Sequence, residues 1–314
     1  MSPLRLAFWG TPAIALPSLR AAAREHQVAL AITQPDRPAG RGRKLKRQPV
    51  AAAADELGIE VLQPAVADEA LERLAQVEPE AMVVLAYGQL LSPAVLAAAP
   101  LGAVNIHFSL LPRLRGAAPI NWAILGGLER TGVSSMFMDQ GLDTGEIIFQ
   151  KACPIGAQET AGSLAQRLAE MGAQVLLATL EAMATGSAPR QSQDHRAATW
   201  APMLGKGDGL LDWDRPAAEL DRRVRGLDPW PGAHTTLMGK TLKLFAPTKI
   251  LPDNQGQAPG AVLEAAAEAP GMLAVACGEG ALALGSVQAA GKRRMEAAEF
   301  LRGAGPAPGQ RLGA

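Results

Sequence analysis

Ala81-Met-Val-Val-Leu-Ala-Tyr-Gly-Gln-Leu-Leu-Ser-Pro-Ala-Val-Leu-Ala-Ala-Ala-Pro-Leu-Gly-Ala-Val-Asn-Ile-His-Phe-Ser-Leu-Leu-Pro112 runs for 32 residues without an Asp, Glu, Lys or Arg. A bilayer span needs about 20 apolar residues, but Gly88, Pro93, Pro100 and Gly102 cut this run and Asn105 and His107 sit inside it. Two buried strands, Met82-Val-Val-Leu-Ala86 and Ala103 to Ser109, joined by a short helix, account for it better than a membrane segment. The side-chain period of two on a strand puts Asn105 and His107 on one face and turns Ile106 away.

Outward from this pair, the N-terminal half alternates strands with helices. Leu4 to Trp9 reads as a strand, followed by a turn and an Ala/Leu-rich helix to about Arg24; Val28 to Thr33 is a second strand. Pro49 to Leu57 reads as a helix opened by proline, Ile59 to Leu62 as a short strand and Ala67 to Gln76 as a helix. Such alternation implies right-handed crossovers and an α/β, doubly wound, mostly parallel sheet. Ligands of these sheets bind at the carboxyl ends of strands, where Tyr87-Gly88 and His107-Phe-Ser109 would lie. Thr160 to Thr185 is a long amphipathic helix closing this unit. The apolar run near the N-terminus is broken by Gly10-Thr11-Pro12 and reads as a first buried strand rather than a signal peptide.

The remainder has a different grain. Residues 186–208 are polar, punctuated by Gly and Pro, and read as a linker. Ala217 to Gly226 reads as a helix. Short strands follow near 234–238, 241–246, 260–264, 272–276 and 281–287, the pattern of a small barrel or sandwich. The expected division is a catalytic domain at 1–188, a linker at 189–208 and a C-terminal domain at 209–314.

Composition narrows the partners. Thirty Lys and Arg balance thirty Asp and Glu, so any polyanion must be met by local clusters and not by bulk charge. The four histidines are scattered and neither Cys153 nor Cys277 has metal-type spacing, so no metal site is expected. The cysteines read as free thiols of a reducing compartment, with a disulfide left open, and the protein as cytoplasmic.

The chemistry gathers around Asn105, His107 and the carboxylate of the turn Gly141-Leu-Asp-Thr-Gly145. An amide, an imidazole and a carboxylate can bind a carbonyl oxygen, carry a proton and orient the carrier, a kit for attack on an acyl carbon without a Ser or Cys nucleophile. His107 alone would read as a core histidine and Asp143 alone as turn chemistry; together they read as a site. Asp139 reads as a structural carboxylate at a strand end. The loop from Arg37 to Arg47 carries Arg37, Arg41, Arg43, Lys44, Lys46 and Arg47 with no acid among them, held out by Gly and Pro beyond a strand end. Its placement points to phosphate contact. Arg222, Arg223 and Arg225, with Lys292-Arg-Arg294, are further cationic groups, although residues 206–314 hold 13 Lys and Arg against 12 Asp and Glu.

Further motifs are Phe8-Trp-Gly-Thr-Pro12, Thr33-Gln-Pro-Asp-Arg-Pro-Ala-Gly-Arg-Gly42, Val83-Val-Leu-Ala-Tyr-Gly88, Ser109-Leu-Leu-Pro112, Arg115-Gly-Ala-Ala-Pro-Ile120 and Met138-Asp-Gln-Gly-Leu-Asp-Thr-Gly145. Pro229-Trp-Pro-Gly232 and Gln288-Ala-Ala-Gly-Lys-Arg-Arg-Met295 extend the set into the C-terminal half. On these motifs nearly the whole chain resembles the methionyl-tRNA formyltransferases, and the resemblance has consequences for fold and chemistry. It implies a Rossmann-like formyltransferase domain and an OB-like barrel that helps hold tRNA. It further implies 10-formyltetrahydrofolate as co-substrate without a metal, initiator methionyl-tRNA as acceptor, no membrane partner, and a monomer. Asn105, His107 and Asp143 would be catalytic. Ser109, Leu110, Leu111 and Pro112, with Tyr87 and Gly88, would line the folate. Arg37, Arg41, Arg43, Lys44, Arg223, Lys292 and Arg293 would face tRNA. Trp9, Phe108 and Met203 depart from the family pattern, and Phe108 is expected to alter the pocket. The same triplet would also serve a formyltransferase for an amino sugar or nucleotide amine, or a 10-formyltetrahydrofolate hydrolase. A non-catalytic RNA-binding protein on the same fold would not need it intact.

Overall fold

The structure, a computed structural model, describes residues 3–39, 44–264, 266–303 and 305–313. The chain forms two compact units. The first comprises Met1–Pro119, Thr131–Cys153 and Ala165–Ala201; the second comprises Ile120–Arg130, Pro154–Leu164 and Pro202–Ala314. The elements in chain order are β1 (Arg5–Gly10), α1 (Leu16–Glu25), β2 (Gln27–Ile32), β3 (Arg37–Ala39), β4 (Lys44–Lys46), α2 (Pro49–Glu56), β5 (Val61–Leu62), α3 (Leu71–Val77) and β6 (Ala81–Leu85). Then come α4 (Pro93–Leu96), β7 (Ala103–His107), α5 (Pro119–Leu125), β8 (Arg130–Phe137), β9 (Ile147–Pro154) and α6 (Ala161–Ala184).

The large sheet has the order β5-β2-β1-β6-β7-β8-β9. β5, β2, β1, β6 and β7 run parallel, and β8 pairs antiparallel with β7. The parallel strands are apolar on both faces because helices cover both; Leu6, Phe8, Trp9, Leu30, Ile32, Met82 and Leu85 are fully buried. β8 and the edge strand β9 were not foreshadowed by alternation. Arg130-Thr-Gly-Val-Ser-Ser-Met-Phe137 buries Thr131, Ser134 and Ser135, which a hydropathy pattern reads as surface. Two of these hydroxyls are satisfied inside: Ser134 Oγ donates to Ser109 O at 2.7 Å, and Ser135 Oγ accepts from Thr179 Oγ1 at 2.7 Å. Gly132 admits β9 beside β8, since a Cβ there would lie 2.2 Å from Lys151 O.

Alternation along β7 is as expected, and Phe108 falls on the same face as Ile106. A Cβ on Gly172 of α6 would sit 3.3 Å from both Ile106 Cγ2 and Phe108 Cε1. Ile106 and Phe108 therefore pack on α6, and glycine at 172 makes room for the large ring. The expected linker is also tied down over much of its length. Ile147 and Gln191 exchange backbone hydrogen bonds, Arg115 N donates to Thr199 O, and Ala201 N donates to Arg115 O.

In the second unit, α7 (Ala217–Gly226), β10 (His234–Leu237), β11 (Lys240–Leu251), β12 (Leu273–Ala276), β13 (Ala281–Ala289), β14 (Met295–Glu296) and α8 (Ala297–Arg302) follow. The strands form an antiparallel sheet of order β10-β11-β13-β12, with β14 also on β13. The stretch expected as a strand at 260–264 makes only isolated bridges, Ala261 to Arg311 and Val262 to Val275. Leu220, Val224, Leu244, Leu273, Leu284 and Phe300 fill the core, and Trp213 Nε1 donates to Thr235 Oγ1 at 3.0 Å within it. Residues 120–130 and 154–164 join this unit through polar bonds: Asn121 Nδ2 donates to Gly226 O and Thr248 N to Gln158 Oε1. Cys153 and Cys277 are buried free thiols, and burial pushes Cys277 up to about 12. Among the described residues, no helix is long and apolar enough to cross a membrane.

Phe108→Ala should destabilise the protein by about 3–5 kcal/mol, the usual cost of emptying a buried phenyl site. Urea unfolding measures it; a loss below about 1 kcal/mol would mean that the ring is not seated on α6.

Candidate active site

Asn105 and His107 leave the carboxyl-terminal half of β7 on the face opposite Ile106. Their register is set from both sides, Asn105 opposite Val84 in β6 and Met136 in β8, and His107 opposite Ser134. Asn105 is half-buried, and its side-chain amide has no hydrogen-bond partner among the described residues. An amide left unpartnered at the carboxyl end of a central strand is poised for a ligand oxygen.

His107 is 6% exposed and engaged at both ring edges. Nε2 lies 2.9 Å from Leu114 O, and because a carbonyl only accepts, that nitrogen carries a proton. Nδ1 lies 3.6 Å from Asp143 Oδ2, longer than a hydrogen bond but within reach of the carboxylate's charge. Oδ2 also accepts Gly116 N–H at 2.7 Å. Asp143 comes from the turn between β8 and β9 and holds φ +55°. Ala86 and Leu114 share that left-handed region, at φ +51° and +58°. Such a conformation costs about 1–3 kcal/mol in a residue with a Cβ, and three of them gather around the ends of β6, β7 and β8.

The turn is braced on two sides. Asp139 Oδ1 accepts from Gly141 N at 2.9 Å and Thr144 Oγ1 at 2.6 Å, so this carboxylate is structural. Gly145 approaches β8 so closely that a Cβ would lie 1.7 Å from Phe137 O. On the other side stands Gln193, a residue the sequence reading missed because it lies in polar sequence without periodicity. Its Nε2 donates to Asp143 O at 3.0 Å and Gly145 O at 2.7 Å. No signal in the sequence marks it, since only folding buries this glutamine to 6% in an otherwise exposed stretch.

The expected folate-lining residues divide. Leu110 and Pro112 are half-buried, and Gly88, with φ +92° and open space where a Cβ would be, is exposed. The side chains of Ser109, Leu111 and Tyr87 are buried. Ser109 Oγ donates to Arg113 O at 2.6 Å, and Leu111 packs on Met136 and Ile147. Tyr87 stacks edge-on against Trp9 at 5.0 Å in the core. Burial pushes its phenol up to about 12.

The cationic residues divide as well. β3 and β4 pair antiparallel, Arg37 opposite Lys46, so the described part of the basic stretch is a two-stranded ribbon. Arg37 is exposed, its Nη2 3.4 Å from Gln34 Oε1. Arg41, Arg43 and the Lys44 side chain lie outside the described residues. Arg47 is an anchor: it grips both carboxylate oxygens of Asp55, at 2.9 and 3.0 Å, and sits 3.7 Å from Asp36. In the second unit, Arg225 is buried against Asp221 at 2.6 Å, and Arg223 Nη2 donates to Asp208 O at 2.6 Å. Lys292 is exposed; Arg293 is exposed but pairs with Glu299 at 3.1 Å; Arg294 lies over the Phe245 ring at 4.2 Å. Among the described residues, no group of three or more His, Cys, Asp or Glu could hold a metal ion.

A family model described as formyl transferase matches residues 5–180, and one described as formyl transferase, C-terminal domain, matches residues 203–305. The chain is 47% identical over 304 residues to the methionyl-tRNA formyltransferase of Desulfotalea psychrophila, covering 96% of this chain and 93% of that one. It is 44% identical over 316 residues to that of Geobacter sulfurreducens, covering 100% and 98%. Among solved structures, HypX from Aquifex aeolicus in complex with tetrahydrofolic acid superposes with a TM-score of 0.66 at 18% identity. That match covers 96% of this chain and 47% of the longer HypX chain, and it shows a shared fold.

The base of the ribbon carries a pH signature. A hydrogen bond from Gln63 holds the Asp36 carboxyl below its ordinary range, helped by Gln48 N–H and the Arg47 charge. The folded group thus titrates below its unfolded value of about 3.9, so its stabilisation is complete above that value and is lost as pH falls through the folded one. The difference in Tm between the protein and Asp36→Asn should stay constant from about pH 7 to 5 and narrow below about pH 4. A gap undiminished at the acid end would show that the charge is not what holds the ribbon.

Proposed function

The chain belongs to the methionyl-tRNA formyltransferase family, and on that premise we propose how its own residues carry the reaction. It formylates methionyl-tRNA, with 10-formyltetrahydrofolate as the one-carbon donor. The acceptor is the free α-amine, and the product is the N-formylated initiator tRNA used to begin translation.

The observation that carries the assignment of roles is the Asn105 amide, without a partner among the described residues, on the same strand face as the His107–Asp143 pair. Attack of an amine on a formyl carbon moves charge onto the formyl oxygen and leaves the nitrogen with a proton to lose. Asn105 donates its amide N–H to that oxygen. His107 supplies a second donor and passes a proton as the carbon–nitrogen bond to the donor breaks. The Nε2 proton rests on Leu114 O, so the formyl oxygen must compete with that carbonyl for it, whereas Asn105 is free at once. Asp143 orients the ring and relays the amine proton, directly or through water.

The folate is held by the backbone of Ser109 to Pro112, the half-buried Leu110 and Pro112, and the open Gly88. Buried Ser109, Leu111 and Tyr87 shape the strand ends beneath it. Domain labour divides as the sequence suggests: residues 1–188 hold the donor and the aminoacyl end, and an OB-like domain at 209–314 helps hold tRNA. Lys292 and Arg37, with Arg41, Arg43 and Lys44 of the basic stretch 37–47, remain candidate phosphate contacts. Arg223 and Arg293 serve tRNA only by releasing an existing partner or sharing it. The enzyme works as a cytoplasmic monomer, which sedimentation would test.

The assay offers purified protein the formyl donor with charged initiator tRNA, elongator tRNA, small amines or water. Transfer should be restricted to methionyl-tRNA; release of formate at the same rate with water alone would favour a hydrolase. Asn105→Ala, His107→Ala and Asp143→Ala should each lower kcat by about 10²–10⁴-fold in a folded protein, the usual cost of an oxyanion donor or positioned proton carrier. Near-normal turnover in His107→Ala would sink the assignment. Arg41→Ala should lower kcat/KM for methionyl-tRNA and flatten its salt dependence, with folate affinity unchanged. A parallel fall in both would mean that the ribbon is structural.

A further inference from the structure

We propose that Gln193 is a positioning residue for formyl transfer: its side-chain amide sets the left-handed backbone from which Asp143 reaches His107. The inference rests on the roles given to His107 and Asp143 above.

The geometry is a closed circuit around one residue. Gln193 is 6% exposed, and its amide group is saturated. Both Nε2 protons are used, one on Asp143 O at 3.0 Å and one on Gly145 O at 2.7 Å. Oε1 accepts from Arg115 Nε at 3.2 Å and Nη2 at 2.6 Å. Arg115 is 3% exposed, and Nη2 also meets His195 Nδ1 at 3.1 Å. The next residue, Gly116, donates its N–H to Asp143 Oδ2 at 2.7 Å. The Arg115–Gly116 corner thus holds Asp143 at both ends, its carboxylate directly and its carbonyl through Gln193. A left-handed Asp143 with a fixed carbonyl and a fixed Oδ2 has little freedom in the direction of its side chain.

Docking of the 189–201 strap explains less. The strap is already held by the Ile147–Gln191 backbone pair, by Thr199 O and Ala201 N on Arg115, and by Leu114 N on Thr199 Oγ1. A side chain needed only for docking would find its strongest partner in Arg115, and a glutamate would meet that guanidinium better than a glutamine. A glutamate cannot donate to two carbonyls. The guanidinium on Oε1 also polarises the amide and strengthens its two N–H donors.

Gln193→Glu separates the two roles, because it keeps length and the Arg115 contact and removes both donors. We expect kcat to fall by about 10- to 100-fold, as for a misplaced catalytic group, with KM for folate and for methionyl-tRNA within about 3-fold and the protein still folded at the assay temperature. In an Asp143→Ala background, measured by single turnover, the same substitution should change the rate by less than about 3-fold, since the group it positions is gone. Should Gln193→Glu fail to fold, Gln193→Met, neutral and without donors, is held to the same criteria. An unchanged kcat would overturn the proposal, and so would an equal loss in both backgrounds, which marks a general structural effect. Normal turnover of Asp143→Ala by itself would overturn the role of Asp143 and this inference with it, whereas an impaired Asp143→Ala beside a fully active Gln193→Glu removes only the inference.

Discussion

Alternation of side chains along β7 ties the fold of the first unit to its chemistry. Ile106 and Phe108 leave one face and meet α6 where Gly172 makes room; Asn105 and His107 leave the other. A slip of one residue would exchange the two sets, driving an amide and an imidazole into an apolar layer and two large hydrophobes into the site. Val84 in β6 and Met136 in β8 pin the register at Asn105 from both sides. Two of the three groups proposed for catalysis therefore stand on a central strand, where their placement is as rigid as the sheet itself.

Asp143 has no strand to stand on, and the structure shows what a loop residue needs in its place. Asp139 closes the turn on one side, Gln193 on the other, and Gly145 lets the backbone press against β8. Gly116 then fixes the carboxylate. Left-handed residues gather at Ala86, Leu114 and Asp143, around the carboxyl ends of β6 and β7 and the turn after β8, which is the neighbourhood where strain serves geometry and not packing. Leu114 contributes twice, since its carbonyl also holds the Nε2 proton of His107.

With 30 acidic and 30 basic residues the chain has no bulk charge to offer a polyanion, so the distinction between structural and available cations matters. Arg47 is committed to Asp55 and Asp36, Arg225 to Asp221, and Arg294 to the Phe245 ring and Asp228. These arginines shape the ribbon and the second unit. Arg37 and Lys292 stay exposed, with their charge facing solvent. Exposed charge is screened and weak for stability but is the form in which phosphate is met.

The parallel strands, the α6 helix and the Asn105–His107 pairing were all legible in the linear pattern, because each depends on local periodicity or on motifs close in sequence. β8 and β9 were not: β8 buries Ser and Thr whose partners, Ser109, Gln150 and Thr179, come from other elements. Phe108 read as a pocket residue because its number is next to His107, whereas the pleat turns it to the opposite face. Tyr87 and Ser109 read as ligand contacts because strand ends carry ligands, and only packing shows their side chains turned inward. Gln193 and Arg115 were legible in neither composition nor spacing, for they lie 50 and 28 residues from Asp143 and become its neighbours only on folding. By itself the sequence determined which strand face carries the amide and the imidazole, since a period of two is a property of the chain. The tertiary structure alone decided how the carboxylate is aimed, because its direction is set by hydrogen bonds from residues that the chain brings together across long separations.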